Sequence, residues 1–333
     1  MINKILIIGF GNIGKRHFKY LKNRFPKAIV KVLKTKNSKN HTELSKSSLL
    51  PENKISNFIP NLTVISNPSS MHLFYAKKVL EMKSNIFIEK PLNDKIIGLK
   101  TFIKQVELSK IHVLVGYNLR FLESLIELKR LIDNKILGKI YSVQCETGQY
   151  LPEWRTSNYE KTVSASNKLG GGVVLELSHE IDYLNWLFGE ISWVNSHMAT
   201  ISKLKIDVED SASFMMGTKS DNPAIINLNL DFIRRNKTRE MTIIGEKSSL
   251  RWQAEPSRIQ KWNLENQNWE NIFTSDQKIS DTYEIQWEYF FKKIFNNNHS
   301  IKSLRDSLKT MRIIKSAKKS SSLSGKRISI NDS

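Results

Sequence analysis

Short apolar runs alternate with longer polar–apolar segments along the first third of the chain. Residues 4–8 (KILII) end at glycine, the pattern of a buried parallel strand. A helix is expected from about Ile13 to Arg24, stopped by Pro26, and a second strand over 28–33. Residues 34–60 are polar and broken by Pro51 and Pro60, and no order is read there. Further strands are expected at 62–66, 86–89 and 111–116. Helices are expected at 71–83, capped by Ser69 or Ser70, and at 94–109. Strands and helices that alternate in this way predict a doubly wound parallel sheet.

The texture changes near residue 120. A long helix is expected over 119–134. Strand-like stretches follow at 139–147, 191–200, 210–218, 224–233, 239–244, 249–253 and 258–264. Close spacing and turn signals between them predict an open, mostly antiparallel sheet. An apolar helix at 172–188 interrupts the strands, and helices at 281–297 and 303–319 follow. The Ser/Lys-rich tail from Lys318 reads as loose. The expected organisation is an α/β protein: a dinucleotide-binding domain over 1–120, a substrate-binding and oligomerisation domain over 121–320, and a loose tail over 321–333.

Composition changes this picture little. The chain has 333 residues, enough for two domains. Its apolar runs fall well short of the roughly 20 residues of a membrane span. The start MINKILIIGF lacks a long apolar region and a small-residue cleavage site, so a cytoplasmic protein is expected. Cys145 is the sole cysteine, which excludes an intrachain disulfide and a cysteine-rich zinc site; no metal is expected. The net charge of +20 invites a nucleic-acid reading. The lysines are scattered rather than gathered in a basic helix, so no nucleic-acid partner is expected. A basic surface still suits an anionic ligand such as a nucleotide.

Residues 9–14, Gly-Phe-Gly-Asn-Ile-Gly, form a G-x-G-x-x-G directly after a strand and at the opening of a helix, the context a dinucleotide site needs. Gly9 allows the turn, Gly11 the approach of a pyrophosphate, Gly14 close helix–strand packing. The helix N-terminus offers free N–H groups to phosphate. The second strand ends Leu33-Lys34-Thr35-Lys36 without the acid that binds a ribose hydroxyl. Thr35, Lys34 and Lys36 suit a 2′-phosphate, which favours NADP over NAD.

The helix at 172–188 carries an apolar side and a polar stripe of Glu176, His179, Asp182 and Tyr183. Alone, His179 reads as a satisfied core histidine; between Glu176 and Asp182 it reads as a general acid–base group. Asp182 either joins that group or fixes the imidazole or a helix contact. Glu180, at the stripe's edge, is expected on the surface. In the loop QYLPEWRTSNY, Trp154, Arg155 and Tyr159 offer an aromatic face, an anion clamp and a hydroxyl; loop packing is the other reading. Trp252, Trp262 and Trp269 are expected in packing or subunit contact.

Five motifs then fall in order: Gly9-x-Gly11-x-x-Gly14-x-Arg16-His17; Asn67-Pro68 with His72; Glu89-Lys90-Pro91; Gly116-Tyr117-Asn118-x-Arg120-Phe121; and GGGVVLELSHEID at 170–182. Their order and spacing resemble the glucose–fructose oxidoreductase / inositol dehydrogenase (Gfo/Idh/MocA) family over nearly the whole chain. The resemblance implies a Rossmann domain and a C-terminal α/β domain, a nicotinamide cofactor, a sugar, cyclitol or nucleotide-sugar substrate, and a homodimer or homotetramer. It implies that Lys90 binds a substrate hydroxyl and relays its proton, that His179 is catalytic, and that the Lys90–Pro91 bond is cis. Many members carry Asp four residues before the histidine; here that position is Leu175, and Glu176 is the acid at hand. The expected catalytic set is Lys90, His179, Glu176 and Asp182. The expected cofactor set is Gly9, Phe10, Gly11, Asn12, Ile13, Gly14, Arg16, Thr35, Lys36, Asn67, Pro68, His72, Glu89, Lys90 and Asn118. The expected substrate set is Tyr117, Trp154, Arg155, Tyr159 and His179. The expected activity is hydride transfer between nicotinamide and a secondary alcohol or ketone. The alternatives are an NAD-dependent glycosidase of the same fold and a non-catalytic dinucleotide sensor.

Overall fold

A computed structural model describes residues 2–34, 44–154, 158–220 and 223–330. Packing divides the chain into two compact units, one of residues 1–116 and 287–308, the other of residues 117–286 and 309–333.

The first unit runs β1 (Lys4–Ile8), α1 (Asn12–Arg24), β2 (Ile29–Lys34), β3 (Leu49–Pro51), α2 (Ile55–Phe58), β4 (Leu62–Ile65), α3 (His72–Leu80), β5 (Asn85–Ile88), α4 (Leu99–Ser109) and β6 (Val113–Val115). All six strands pair in parallel in the order β3-β2-β1-β4-β5-β6. The order reverses between β1 and β4, the point at which open α/β sheets bind ligands beyond the strands' carboxyl ends. The register aligns Ile8 with Ile65 and Ile65 with Ile88, so Gly9, Ser66 and Glu89 leave the sheet at one level.

Three local readings change. Ser69 and Ser70 form a 3₁₀ turn into α3 without a capping side-chain bond. α4 starts at Leu99 behind a left-handed Gly98, five residues later than the periodicity suggested. β3 and α2 occupy part of the unordered 34–60 stretch, and Thr35 and Lys36 lie outside the described residues.

The second unit holds α5 (Glu123–Asp133), β7 (Ile140–Gly148), α6 (Leu151–Trp154), α7 (Val173–Glu176), α8 (Ser178–Phe188), β8 (Ile191–Ala199), β9 (Ser211–Thr218), β10 (Ile225–Asp231), β11 (Thr238–Gly245), β12 (Ser249–Gln253), β13 (Ser257–Asn263) and β14 (Asn268–Ser275). The chain continues through α9 (Thr282–Phe295), α10 (Lys302–Ser322) and β15 (Ile328–Ser329); residues 287–308 of this stretch belong to the first unit. The sheet order is β14-β13-β12-β11-β7-β10-β9-β8-β15, antiparallel except where β10 meets β7.

The tail expected to be loose is ordered through residue 330. α10 extends to Ser322, and β15 pairs with β8. Its serines serve as partners for β8: Ser196 N–H donates to Ser320 Oγ at 2.9 Å, and Ser196 Oγ donates to the Ala317 carbonyl at 2.6 Å. The expected helix at 119–134 begins as a 3₁₀ turn, Asn118–Phe121, and only then becomes α5. The expected helix at 172–188 breaks at Leu177 (φ −100°, ψ 31°) into α7 and α8. Trp252 is fully buried, its indole N–H donating to Ser124 Oγ at 2.9 Å.

Candidate active site

In the first unit the glycine loop is built by close approach. A Cβ on Gly9 would stand 2.4 Å from the Asn67 nitrogen, and one on Gly14 2.1 Å from the Gly9 carbonyl oxygen. Gly14, His17 and Leu21 then share the buried face of α1. Gly11 differs: no atom of the described residues lies within 4 Å of its missing Cβ. It is the N-cap of α1, with no capping side-chain bond and no acid in the first turn. Phe10 packs edge-on against Phe18 at 5.4 Å, while Arg16 is exposed.

One level across the sheet, the Asn67 carboxamide is buried, and neither its oxygen nor its nitrogen has a hydrogen-bond partner among the described residues. Burial without a partner is costly for an amide, and a bound group can supply the missing bonds. Pro68 starts the following 3₁₀ turn. His72 braces the strand ends: Nδ1 meets the Pro91 carbonyl and Nε2 the Asn67 carbonyl, both at 2.9 Å. Burial pushes the His72 imidazole below its ordinary pKa, against the carbonyls and Glu89, which favour the charged form. Its ring nitrogens thus face main chain rather than a cofactor. Glu89 is buried; Oε1 accepts from His17 Nε2 at 2.7 Å and Oε2 from the Lys90 N–H at 3.3 Å. Lys90 is half-buried, and its bond to Pro91 is cis.

In the second unit, Tyr117 and His179 are both buried and meet edge to face at 5.6 Å. Burial, reinforced by the Asp182 charge, pushes the Tyr117 phenol well above its ordinary pKa. Asn118 Nδ2 donates to Thr282 Oγ1 at 2.7 Å. Asp182 receives both prongs of Arg120, at 2.7 and 2.8 Å, and lies near Thr310. Its carboxylate is therefore a fixed anchor between the 117–121 turn and α8. Glu176 closes α7, half-buried; Leu175 beside it is fully packed.

Glu180, read from the sequence as surface, is completely buried and accepts from Arg239 Nε at 2.8 Å. α8 is buried nearly all round, so Glu180 and Asp182 face arginines instead of water. Trp154 packs on Phe232 at 5.7 Å, and Tyr159 Oη accepts from the Lys205 N–H at 3.2 Å. Arg155 lies outside the described residues. Sequence reasoning quoted Arg120 in a motif without giving it a role and passed over Glu209; their partners lie 62 and 35 residues away. It also gave His17 no role, although its spacing after Gly14 places it on α1's inner face.

Among the described residues no helix is long and apolar enough to cross a membrane, and no group of three or more His, Cys, Asp or Glu could hold a metal.

Two family models match. Residues 3–117 match the oxidoreductase family, NAD-binding Rossmann fold, and residues 125–251 match the GFO/IDH/MocA C-terminal domain. Oxidoreductase P35 of Formosa agariphila is 25% identical over 143 residues, 41% of this chain and 43% of that one; this chain thus spans under half of that relative's length. The fold is similar to the WlbA dehydrogenase of Chromobacterium violaceum with NADH and UDP-GlcNAcA (TM-score 0.80, 20% identity, 100% and 97% of the two chains). It is also similar to levoglucosan dehydrogenase with NADH and levoglucosan (TM-score 0.82, 18% identity, 99% and 100%). With a dinucleotide loop, a parallel six-stranded sheet and a mostly antiparallel second sheet, each matched in turn, the chain belongs to the Gfo/Idh/MocA family of oxidoreductases.

Proposed function

We propose that this protein is an NAD(P)-dependent dehydrogenase acting on a secondary alcohol or ketone of a sugar, cyclitol or nucleotide-sugar. The observation that carries the reading is the buried Asn67 carboxamide, without a partner among the described residues, level with a glycine loop whose Gly11 has none of them within 4 Å of its missing Cβ. Gly9, Gly11, Gly14 and Asn67 would hold the dinucleotide. When bound, its nicotinamide supplies hydride acceptor and donor chemistry. β2 ends at Lys34 without an acid, which supports NADP over NAD. Lys90 binds the substrate hydroxyl, and His179 or Lys90 takes its proton. Asp182 and Arg120 orient α8, and Tyr117 lines His179. Levoglucosan and UDP-GlcNAcA in structures of like fold support a sugar-like substrate. A cytoplasmic homodimer or homotetramer fits the single cysteine and the family.

The test follows nicotinamide absorbance with NAD and NADP against a panel of sugars, cyclitols and nucleotide-sugars. Turnover with at least one pair is expected. Lys90→Ala and His179→Ala should each lower it about 100-fold or more. Near-normal rates in both variants remove the assigned roles, and failure of the protein to bind either dinucleotide removes the reading itself.

A further inference from the structure

His17 lies on the buried face of α1, 1% exposed, walled by the rings of Phe87 (5.0 Å between centroids) and Trp287 (5.5 Å). Two contacts decide which ring nitrogen carries the proton. An indole N–H can only donate, and Trp287 Nε1 stands 3.0 Å from His17 Nδ1. Nδ1 must accept. The neutral ring's proton is therefore on Nε2, 2.7 Å from Glu89 Oε1, where it donates to the carboxylate. The other carboxylate oxygen receives the Lys90 N–H at 3.3 Å. Gly116 leaves room for this carboxylate, since a Cβ there would stand 3.3 Å from Oε1. A chain of bonds thus links Trp287, His17, Glu89 and the Lys90 backbone: Trp287 donates to His17, and the Glu89 carboxylate accepts from both His17 and the Lys90 N–H.

We propose that His17, locked in the Nε2–H tautomer by Trp287, is a positioning residue that aims the Glu89 carboxylate and, through it, the exit of Lys90 from β5. The proposal rests on the dehydrogenase reading, which gives Lys90 its task. A packing role alone needs only aromatic volume. The positioning role needs one donor and one acceptor in the right places, and the two separate by substitution. Trp287→Phe keeps an aromatic ring, though a smaller one, and removes the N–H. His17→Phe removes donor and acceptor. His17→Gln offers an amide N–H and a carbonyl oxygen in their stead.

The experiment combines nitrogen-15 NMR with steady-state kinetics. In the wild type the His17 ring should show the Nε2–H signature, and the Lys90 amide resonance should shift in Trp287→Phe and His17→Phe while staying near its place in His17→Gln. Trp287→Phe and His17→Phe should lower kcat roughly 10- to 100-fold with little change in KM, a size typical of a misaimed group; His17→Gln should recover most of the rate. An Nδ1–H signature, or an unmoved Lys90 amide with wild-type kcat in Trp287→Phe, overturns the proposal. If His17→Phe fails to fold, Trp287→Phe carries the test. Should the wild type turn over no substrate, the dehydrogenase reading fails, while the tautomer and the Lys90 amide still decide the pinning.

Discussion

Two glycine-rich loops do opposite things. In Gly9–Gly14 the central glycine leaves a space that no atom of the described residues fills. In Gly170–Gly172 the space is taken. A Cβ on Gly171 would stand 2.1 Å from the Val163 carbonyl oxygen, and one on Gly172 2.4 Å from Glu209 Oε1. Glu209 enters there to receive the first amides of α7: its main-chain oxygen takes the Val173 N–H at 3.0 Å, and Oε1 takes the Val174 N–H at 3.2 Å. The first loop is open to a ligand. The second is closed around the protein's own carboxylate and seats the helices that carry Glu176 and His179. What separates them is who occupies the volume glycine vacates. The contrast extends to charge: the second unit's site holds two buried arginine–carboxylate pairs, Arg120–Asp182 and Arg239–Glu180.

The largest expected effect lies in those pairs. Arg120→Ala strands the buried Asp182 carboxylate and should cost about 3–5 kcal/mol, read from urea unfolding; a cost below about 1 kcal/mol means that Asp182 is not anchored as described. Gly172 comes next. Its backbone (φ 102°, ψ 152°) is open to glycine alone, so Gly172→Ala should lose roughly 2–3 kcal/mol in the same assay. Gly11→Ala should do the reverse: unfolding unchanged within about 0.5 kcal/mol, but dinucleotide affinity reduced about tenfold or more, followed by fluorescence titration. Unchanged affinity erases the contrast between the loops.

The smallest effect concerns Glu209. Burial holds its carboxyl above the ordinary value, while Lys318 and the Val174 N–H act the other way. The folded state therefore binds this proton more tightly than the unfolded chain, a stabilisation complete below the unfolded pKa and lost as pH rises through the folded one. Glu209→Gln, whose amide oxygen still accepts, should match the wild type at low pH and exceed it in stability above that window. Parallel stability profiles with pH contradict this.

Local signals were legible in the sequence and distant partners were not. KILII followed by Gly9 announced strand, turn and helix because all three are set within a dozen residues. Glu180 was misread because helical periodicity assumes one wet face, and α8 has none. β14 went unseen because its residues alternate between exposed and half-buried, without an apolar run. The Ser/Lys tail looked loose because composition cannot show that Ser320 is the partner of Ser196. Neither Arg120 nor Glu209 carries any mark of its distant partner.

Trp287, Phe290 and Phe291 share one apolar core with Ile5, Val64, Phe87 and Leu114. On the ribosome the N-terminal unit is thus begun first and finished late. At about 5–20 residues per second, roughly ten to thirty seconds separate the synthesis of Gly116 from that of Trp287. Through that interval His17 lacks its indole, and the aromatic face of Phe87 lacks its cover. The nascent protein therefore presents a half-built nucleotide domain to chaperones and proteases, and its window of vulnerability is set by the length of the second unit rather than by its own folding rate.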